Sequence, residues 1–175
     1  MNTTINAMLD RRSCRKYQEK MVSKEVIEQI ITAGTYAASG MGKQPCLIIA
    51  VTDKKLRDQL SEMNRKIGGW DKGVDPFYGA PAVLIVLADK SRPTRVYDGA
   101  LVMGNLMLAA SSLGVGSCWI HRAKEEFESE EGKKILADLG VQGEYEGIGH
   151  CILGYRSGEK QAAAPRKDGW AVWAK

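Results

Sequence analysis

Seven consecutive apolar residues, Ala82-Val-Leu-Ile-Val-Leu-Ala88, set the strongest constraint on this chain. The run is continuous rather than alternating, and it is short, so it reads as a strand with no face left for water. Such a strand demands packing layers on both sides. Cys46-Leu-Ile-Ile-Ala-Val51, bounded by Pro45 and Asp53, reads the same way, as a strand buried on both faces. Val115 to Ile120 and Gly147 to Tyr155 supply a third and a fourth strand.

Helical segments separate these runs. Thr3-Thr4 offers caps to a short helix carrying Ile5, Met8 and Leu9, and Ser23 caps a second in which Val26, Ile27, Ile30 and Ile31 recur at helical spacing. Asp53 caps a charged helix with Leu56, Leu60 and Met63 on one side. Arg95 to Leu113 is apolar nearly all round, as a central helix would be, with Gly104 allowing close packing and Gly114 placed to end it. Lys124 to Leu139 reads as one acidic, exposed helix, in which the pairs Glu125-Glu126 and Glu130-Glu131 are solvated. Helices alternating with strands predict a helix-flanked, largely buried sheet. With 175 residues and no linker or repeat, residues 1–175 are expected to form one domain.

Composition narrows the function classes. Lys and Arg exceed Asp and Glu only by 25 to 21, a net charge of +4 that argues for neither nucleic acid nor a membrane surface. The apolar stretch from Tyr97 to Leu113 contains Asp98, Asn105 and two serines and falls short of a span. Four scattered cysteines without a Cys-x-x-Cys pair, and no signal-like amino end, predict free thiols and a cytoplasmic location.

Any anion site must therefore come from a local cluster. Arg11-Arg12-Ser13-Cys14-Arg15-Lys16-Tyr17 places four cations around one hydroxyl just past a helix, enough to clamp a phosphate; the plainer reading is a basic helix end suited to the macrodipole. Ala38-Ser-Gly-Met-Gly-Lys-Gln-Pro45 lets a backbone approach a flat ligand, with Ser39 and Gln44 as hydrogen-bonding groups, or is an ordinary helix-to-strand turn. Leu113-Gly-Val-Gly-Ser-Cys-Trp-Ile-His121-Arg122 lacks the third glycine of a dinucleotide fingerprint and follows a helix, so no Rossmann site is expected there. The end of that strand, Trp119-Ile120-His121, is instead a place for backbone amides and a ring to face a ligand. Zinc is not expected, because adjacent His150 and Cys151 on a strand point to opposite faces. No catalytic acid, base or nucleophile stands out, and the Asn64 to Gly79 loop, Gly-rich with three aromatics, is read as shaping a cavity.

These segments together resemble the FMN-dependent nitroreductase family in its short form. Arg11-Arg-Ser-Cys-Arg-Lys-Tyr17 is similar to its amino-terminal signature, and Ala38 to Pro45 to its Pro-Ser-x-x-Asn-x-Gln-Pro-Trp segment, with Ala38, Gly42 and Cys46 departing from it. Gly79-Ala-Pro81, Leu-Gly-x-Gly-Ser-Cys-Trp-Ile and Arg166-Lys167 follow in the family's order. The resemblance implies an α+β fold with a mixed central sheet flanked by helices, and an intertwined homodimer with FMN at the interface. It implies that Arg11, Ser13, Arg166 and Lys167 hold the flavin phosphate and ribityl chain, with Arg12 close by and Arg15 near the N1–C2=O edge. Ser39, Met41 and Gln44 would reach the flavin, some from the second subunit, and Trp119, Ile120 and His121 would lie beside N5 and O4. The implied activity is NADPH- or NADH-dependent, ping-pong reduction of nitroaromatics, quinones or similar acceptors, with the hydride chemistry carried by the cofactor. Competing expectations are a same-fold flavin enzyme for enone reduction or dehalogenation, and a flavin-binding sensor or store without turnover.

Overall fold

The computed structural model describes residues 1–174. Its elements run α1 (Thr3–Asp10), α2 (Lys24–Thr35), β1 (Cys46–Val51), α3 (Lys54–Ile67), β2 (Ala82–Asp89), α4 (Arg95–Ser112), β3 (Gly116–Ile120), α5 (Ala123–Glu128), α6 (Glu130–Asp138) and β4 (Tyr145–Gly154). The sheet order is β1-β2-β4-β3. All three ladders are antiparallel. Among the described residues the one parallel contact is the isolated Ser13–Ser117 bridge, so the mixed character of the sheet comes from the amino-terminal segment. The architecture is α+β.

The seven-residue run behaves as its composition requires. β2 is central, and Ala82 to Ala88 are all at most 1% exposed. Its even positions, Ala82, Leu84, Val86 and Ala88, pack with Cys151 and Leu153 under α2 and α4. Its odd positions, Val83, Ile85 and Leu87, pack with Ile120, Ile152 and Phe77 and with residues of α3, α5 and α6. A strand sandwiched between two apolar layers has no use for alternation.

β1 differs from expectation. It lies at the sheet edge, half-buried along most of its length, with Ala50 exposed. The first helix is capped by Asn2, whose Oδ1 accepts from the Ile5 amide at 3.0 Å, rather than by a threonine. Ser23 and Asp53 cap α2 and α3 as the sequence predicts. In α4 it is Gly99 that makes the close approach, because a Cβ there would lie 2.6 Å from Ile148; Gly104 faces open space. α4 is not covered all round either: Asp98, Val102, Met103, Leu106 and Ala110 are buried, while Val96, Tyr97 and Leu101 are exposed.

The acidic segment after β3 is two helices, not one. Ser129 is extended, and its Oγ accepts from the Gly132 amide at 3.0 Å while donating to the Glu126 carbonyl at 2.6 Å. A capping serine restarts the helix there. The turn brings Glu126 inward, where it is completely buried, contrary to the solvated carboxylate expected from its neighbours.

Candidate functional site

The basic segment is built onto the free edge of the sheet. Ser13 bridges Ser117, Cys14 N–H donates to the Ser117 carbonyl at 2.8 Å, and Gln18 N–H donates to Tyr155 at 2.9 Å. Gly116 and Gly154 are register partners at the end of the β3–β4 ladder. A Cβ on Gly116 would meet Cys14 Sγ at 2.8 Å, and one on Gly154 would meet the Tyr17 ring at 2.7 Å. The glycine pair thus leaves the notch into which Cys14 and Tyr17 drop. With Cys14 fully buried, alternation along extended backbone turns Ser13 and Arg15 the other way.

That side is a groove of about 570 Å³, lined by Arg11, Arg12, Ser13, Arg15 and, from the carboxy-terminal tail, Gln161, Ala164 and Arg166. Arg12 Nη1 donates to the Leu9 and Arg11 carbonyls at 2.6 and 2.7 Å, closing the end of α1, so part of its role is the plain helix-end one. Arg166 donates to Ala164 O within the tail. Two guanidinium nitrogens, Arg11 Nη1 and Arg12 Nε, are buried with no hydrogen-bond partner among the described residues. Buried charged donors are rarely left so, and four guanidiniums converging on one groove fit an anionic oxygen cluster such as a phosphate. Lys167 does not line this groove; its Nζ sits 5.3 Å over the exposed Trp170 ring.

Ser39, Met41 and Gln44 occupy a second place. Ser39 and Gln44 line a more apolar cavity of about 260 Å³ with Pro45, Cys46 and Val102. Ser39 Oγ accepts from the Gln44 amide at 3.0 Å. Asp98, a residue the sequence did not single out, fixes this turn: it accepts from the Gly40 amide at 3.0 Å and from Thr94 Oγ1 at 2.8 Å. Met41 and Gln44 both adopt left-handed backbone, φ 50° and 47°. Such strain in non-glycine residues is characteristic of ligand clamps. The Met41 side chain is 89% exposed.

Trp119, Ile120 and His121 end β3. Trp119 is half-buried beneath α2 and α4, Ile120 packs on the opposite face, and the His121 side chain is exposed. The His121 carbonyl is held by Asn64 Nδ2 at 2.7 Å. Arg122 stacks on the Trp70 ring, 4.5 Å from its centroid, which ties the Gly-rich loop to the end of β3. Asn64 itself lies in α3, buried, so the loop proper begins four residues later than the sequence reading placed it. The groove of arginines and the Ser39–Gln44 cavity have no lining residue in common.

The nitroreductase family model matches residues 8–155. The chain belongs to the nitroreductase family. A Bacteroides fragilis nitroreductase structure with bound FMN superimposes over the whole of both chains with a TM-score of 0.89 and 26% identity. An Archaeoglobus fulgidus protein described as a candidate NADH dehydrogenase/NAD(P)H nitroreductase is 30% identical over 166 residues, 91% of this chain and 89% of its own length. An NADPH-flavin oxidoreductase of Vibrio harveyi is 30% identical over 129 residues, 69% of this chain. This nitroreductase-family chain spans less than two thirds of the length of most of the curated relatives it matches, 54% of the Vibrio one.

Proposed function

We propose that this nitroreductase-family chain is an FMN-dependent NAD(P)H oxidoreductase that reduces nitroaromatics, quinones or similar acceptors by two electrons. The observation that carries this reading is the pair of buried, partnerless guanidinium nitrogens, Arg11 Nη1 and Arg12 Nε, in a groove also lined by Arg15 and Arg166. The FMN of the Bacteroides structure and the flavin chemistry in the names of the relatives supply the identity of the ligand. FMN, when bound, supplies the centre that accepts and passes on the hydride.

The chain's own residues bind and orient. Arg11, Ser13 and Arg166 hold the phosphate and ribityl end, with Arg12 behind them, while Arg15 keeps a fixed positive charge beside the pyrimidine edge. The Asn64 hydrogen bond to the His121 carbonyl fixes the end of the Trp119–His121 strand, which would lie beside the reacting edge of the flavin. Ser39 and Gln44 line a separate cavity, Met41 stands exposed in the same turn, and all three would reach the flavin from a second subunit. A homodimer is supported by the apolar side chains left in water: Tyr97 and Leu101 on α4, Met8 and Leu9 on α1, and Trp170, Val172 and Trp173 on the tail. Donor and acceptor then use one face in turn, the ping-pong pattern.

The test is the visible spectrum of the purified protein, followed by anaerobic NADPH or NADH. A flavin spectrum that bleaches is the expected outcome. A flavin that neither donor bleaches makes the protein a sensor or store, and a protein that stays colourless after incubation with FMN overturns the reading.

A further inference from the structure

The arginine groove has a neighbour. A second groove of about 300 Å³ shares Ser13, Arg15 and Gln161 with it and adds Lys16, Arg156 and Ser157. Backbone pairing sets the part of its wall that carries Lys16, Arg156 and Ser157. Tyr17 and Arg156 form an antiparallel bridge, Ser157 N–H donates to the Lys16 carbonyl at 2.9 Å, and Gln18 Nε2 donates to the Arg156 carbonyl at 2.9 Å. Lys16 and Arg156 therefore stand on two hydrogen-bonded segments that both line one groove.

Among the described residues, neither of these cations nor Arg15 has a carboxylate at ion-pair distance, although Lys160 nearby pairs with Asp10. One acid, Glu159, lines the groove against three bases. In the proposed function the phosphate of FMN is taken up by Arg11, Ser13 and Arg166 with Arg12 behind them, and Arg15 serves the pyrimidine edge, which leaves Lys16 and Arg156 of the second groove without an anion. No aromatic residue lines it, so nothing there would stack on a base. The Arg156 guanidinium fork, the Lys16 ammonium and the Ser157 hydroxyl match a terminal phosphate monoester.

Resting on the reading of this chain as an FMN-dependent oxidoreductase, we propose that the second groove binds the 2′-phosphate of NADPH through Lys16 and Arg156, and that it makes NADPH the preferred donor. NADPH and NADH differ in that one group alone, so discrimination between them needs a phosphate site and nothing else.

The experiment has a binding arm and a kinetic arm, both on the FMN-loaded protein. Calorimetry compares adenosine 2′,5′-bisphosphate with adenosine 5′-monophosphate, and steady-state kinetics gives the ratio of kcat/KM for NADPH to that for NADH. The expected result is about tenfold tighter binding of the bisphosphate and a similar preference for NADPH, the size of one charge-assisted contact set. Lys16→Gln and Arg156→Gln each cut both ratios several-fold, through KM for NADPH rather than kcat. Equal affinity for the two adenosine phosphates, or ratios that neither substitution moves, overturns the proposal. Bleaching by neither donor sinks the oxidoreductase reading instead, and bisphosphate binding then decides the phosphate site by itself.

Discussion

Asp75 shows how one side chain organises the long loop after α3. Its carboxylate accepts from Arg57 Nη2, Ser61 Oγ and the amides of Phe77 and Gly79, all between 2.5 and 2.9 Å. Burial pushes the Asp75 carboxyl up, but these hydrogen bonds outweigh it and hold the pKa below the ordinary aspartate value. A depressed pKa means that the stabilisation is complete above the unfolded value of about 3.9 and is lost as pH falls through the folded one. Asp75→Asn is expected to cost about 2 kcal/mol at pH 7, with the gap from the parent closing in acid; urea titrations at pH 7 and pH 3 read both. Burial pushes the thiols of Cys46 and Cys151 up to about 11 and about 12. Both therefore stay protonated at neutral pH, and Cys151, like Cys14 and Cys118, is shut away from solvent. Iodoacetamide is expected to leave those three unlabelled in the folded protein and to label all four in urea; rapid native labelling of Cys14, Cys118 or Cys151 would contradict the packing.

At the scale of elements, the break between α5 and α6 has the largest consequence. It places Glu126, wholly buried, beside His150 of β4 and Asn64 of α3, both also wholly buried. Asn64 Nδ2 donates to Glu126 Oε1 at 2.5 Å, while His150 Nε2 stands 3.0 Å from Glu126 Oε2 without hydrogen-bond alignment. The Phe77 ring, 5.2 Å away by centroids, closes over His150. The cluster joins α3, α5 and β4, and through Asn64 it also holds the end of β3. Removing one member of a buried polar set strands the others, so Glu126→Ala is expected to cost about 3–5 kcal/mol and Glu126→Gln distinctly less. Thermal unfolding of the two variants separates them, and equal, small losses would show that the cluster holds nothing together. None of this was legible in the Lys124–Leu139 charge pattern, because which carboxylate turns inward depends on where the helix breaks. Gly132 adds to that choice: a Cβ there would collide with the Glu126 carbonyl.

At the scale of the whole molecule, the proposed homodimer is what the exposed apolar side chains and the separation of the two cavities would both call for. Trp173 is 82% and Tyr97 73% exposed, apolar side chains that a partner subunit would cover. Sedimentation equilibrium is expected to give twice the 19.2 kDa of one chain. Leu101→Lys, on the outer face of α4, is expected to yield a monomer that no longer retains FMN; a monomer that binds FMN as tightly as the parent would show the site to be complete in one chain.

The sequence by itself determined what depends on near neighbours. The apolar run of β2, the Ser23 and Asp53 caps, the stop at Gly114 and the cation-rich Arg11–Lys16 segment each follow from residue types within a few positions of one another. Gly114 adopts φ 73°, and Val115 N–H closes the turn on Ala110 at 2.8 Å, as a helix-ending glycine should. The tertiary structure decided what depends on pairing across the chain: antiparallel ladders where alternating helices and strands left direction open, β1 at an edge, and Gly99 rather than Gly104 against Ile148. It also brought Arg166 to Arg11 and Glu126 to His150. Hydrogen-bond register and burial are set by partners remote in sequence, and no local pattern encodes which partner will arrive.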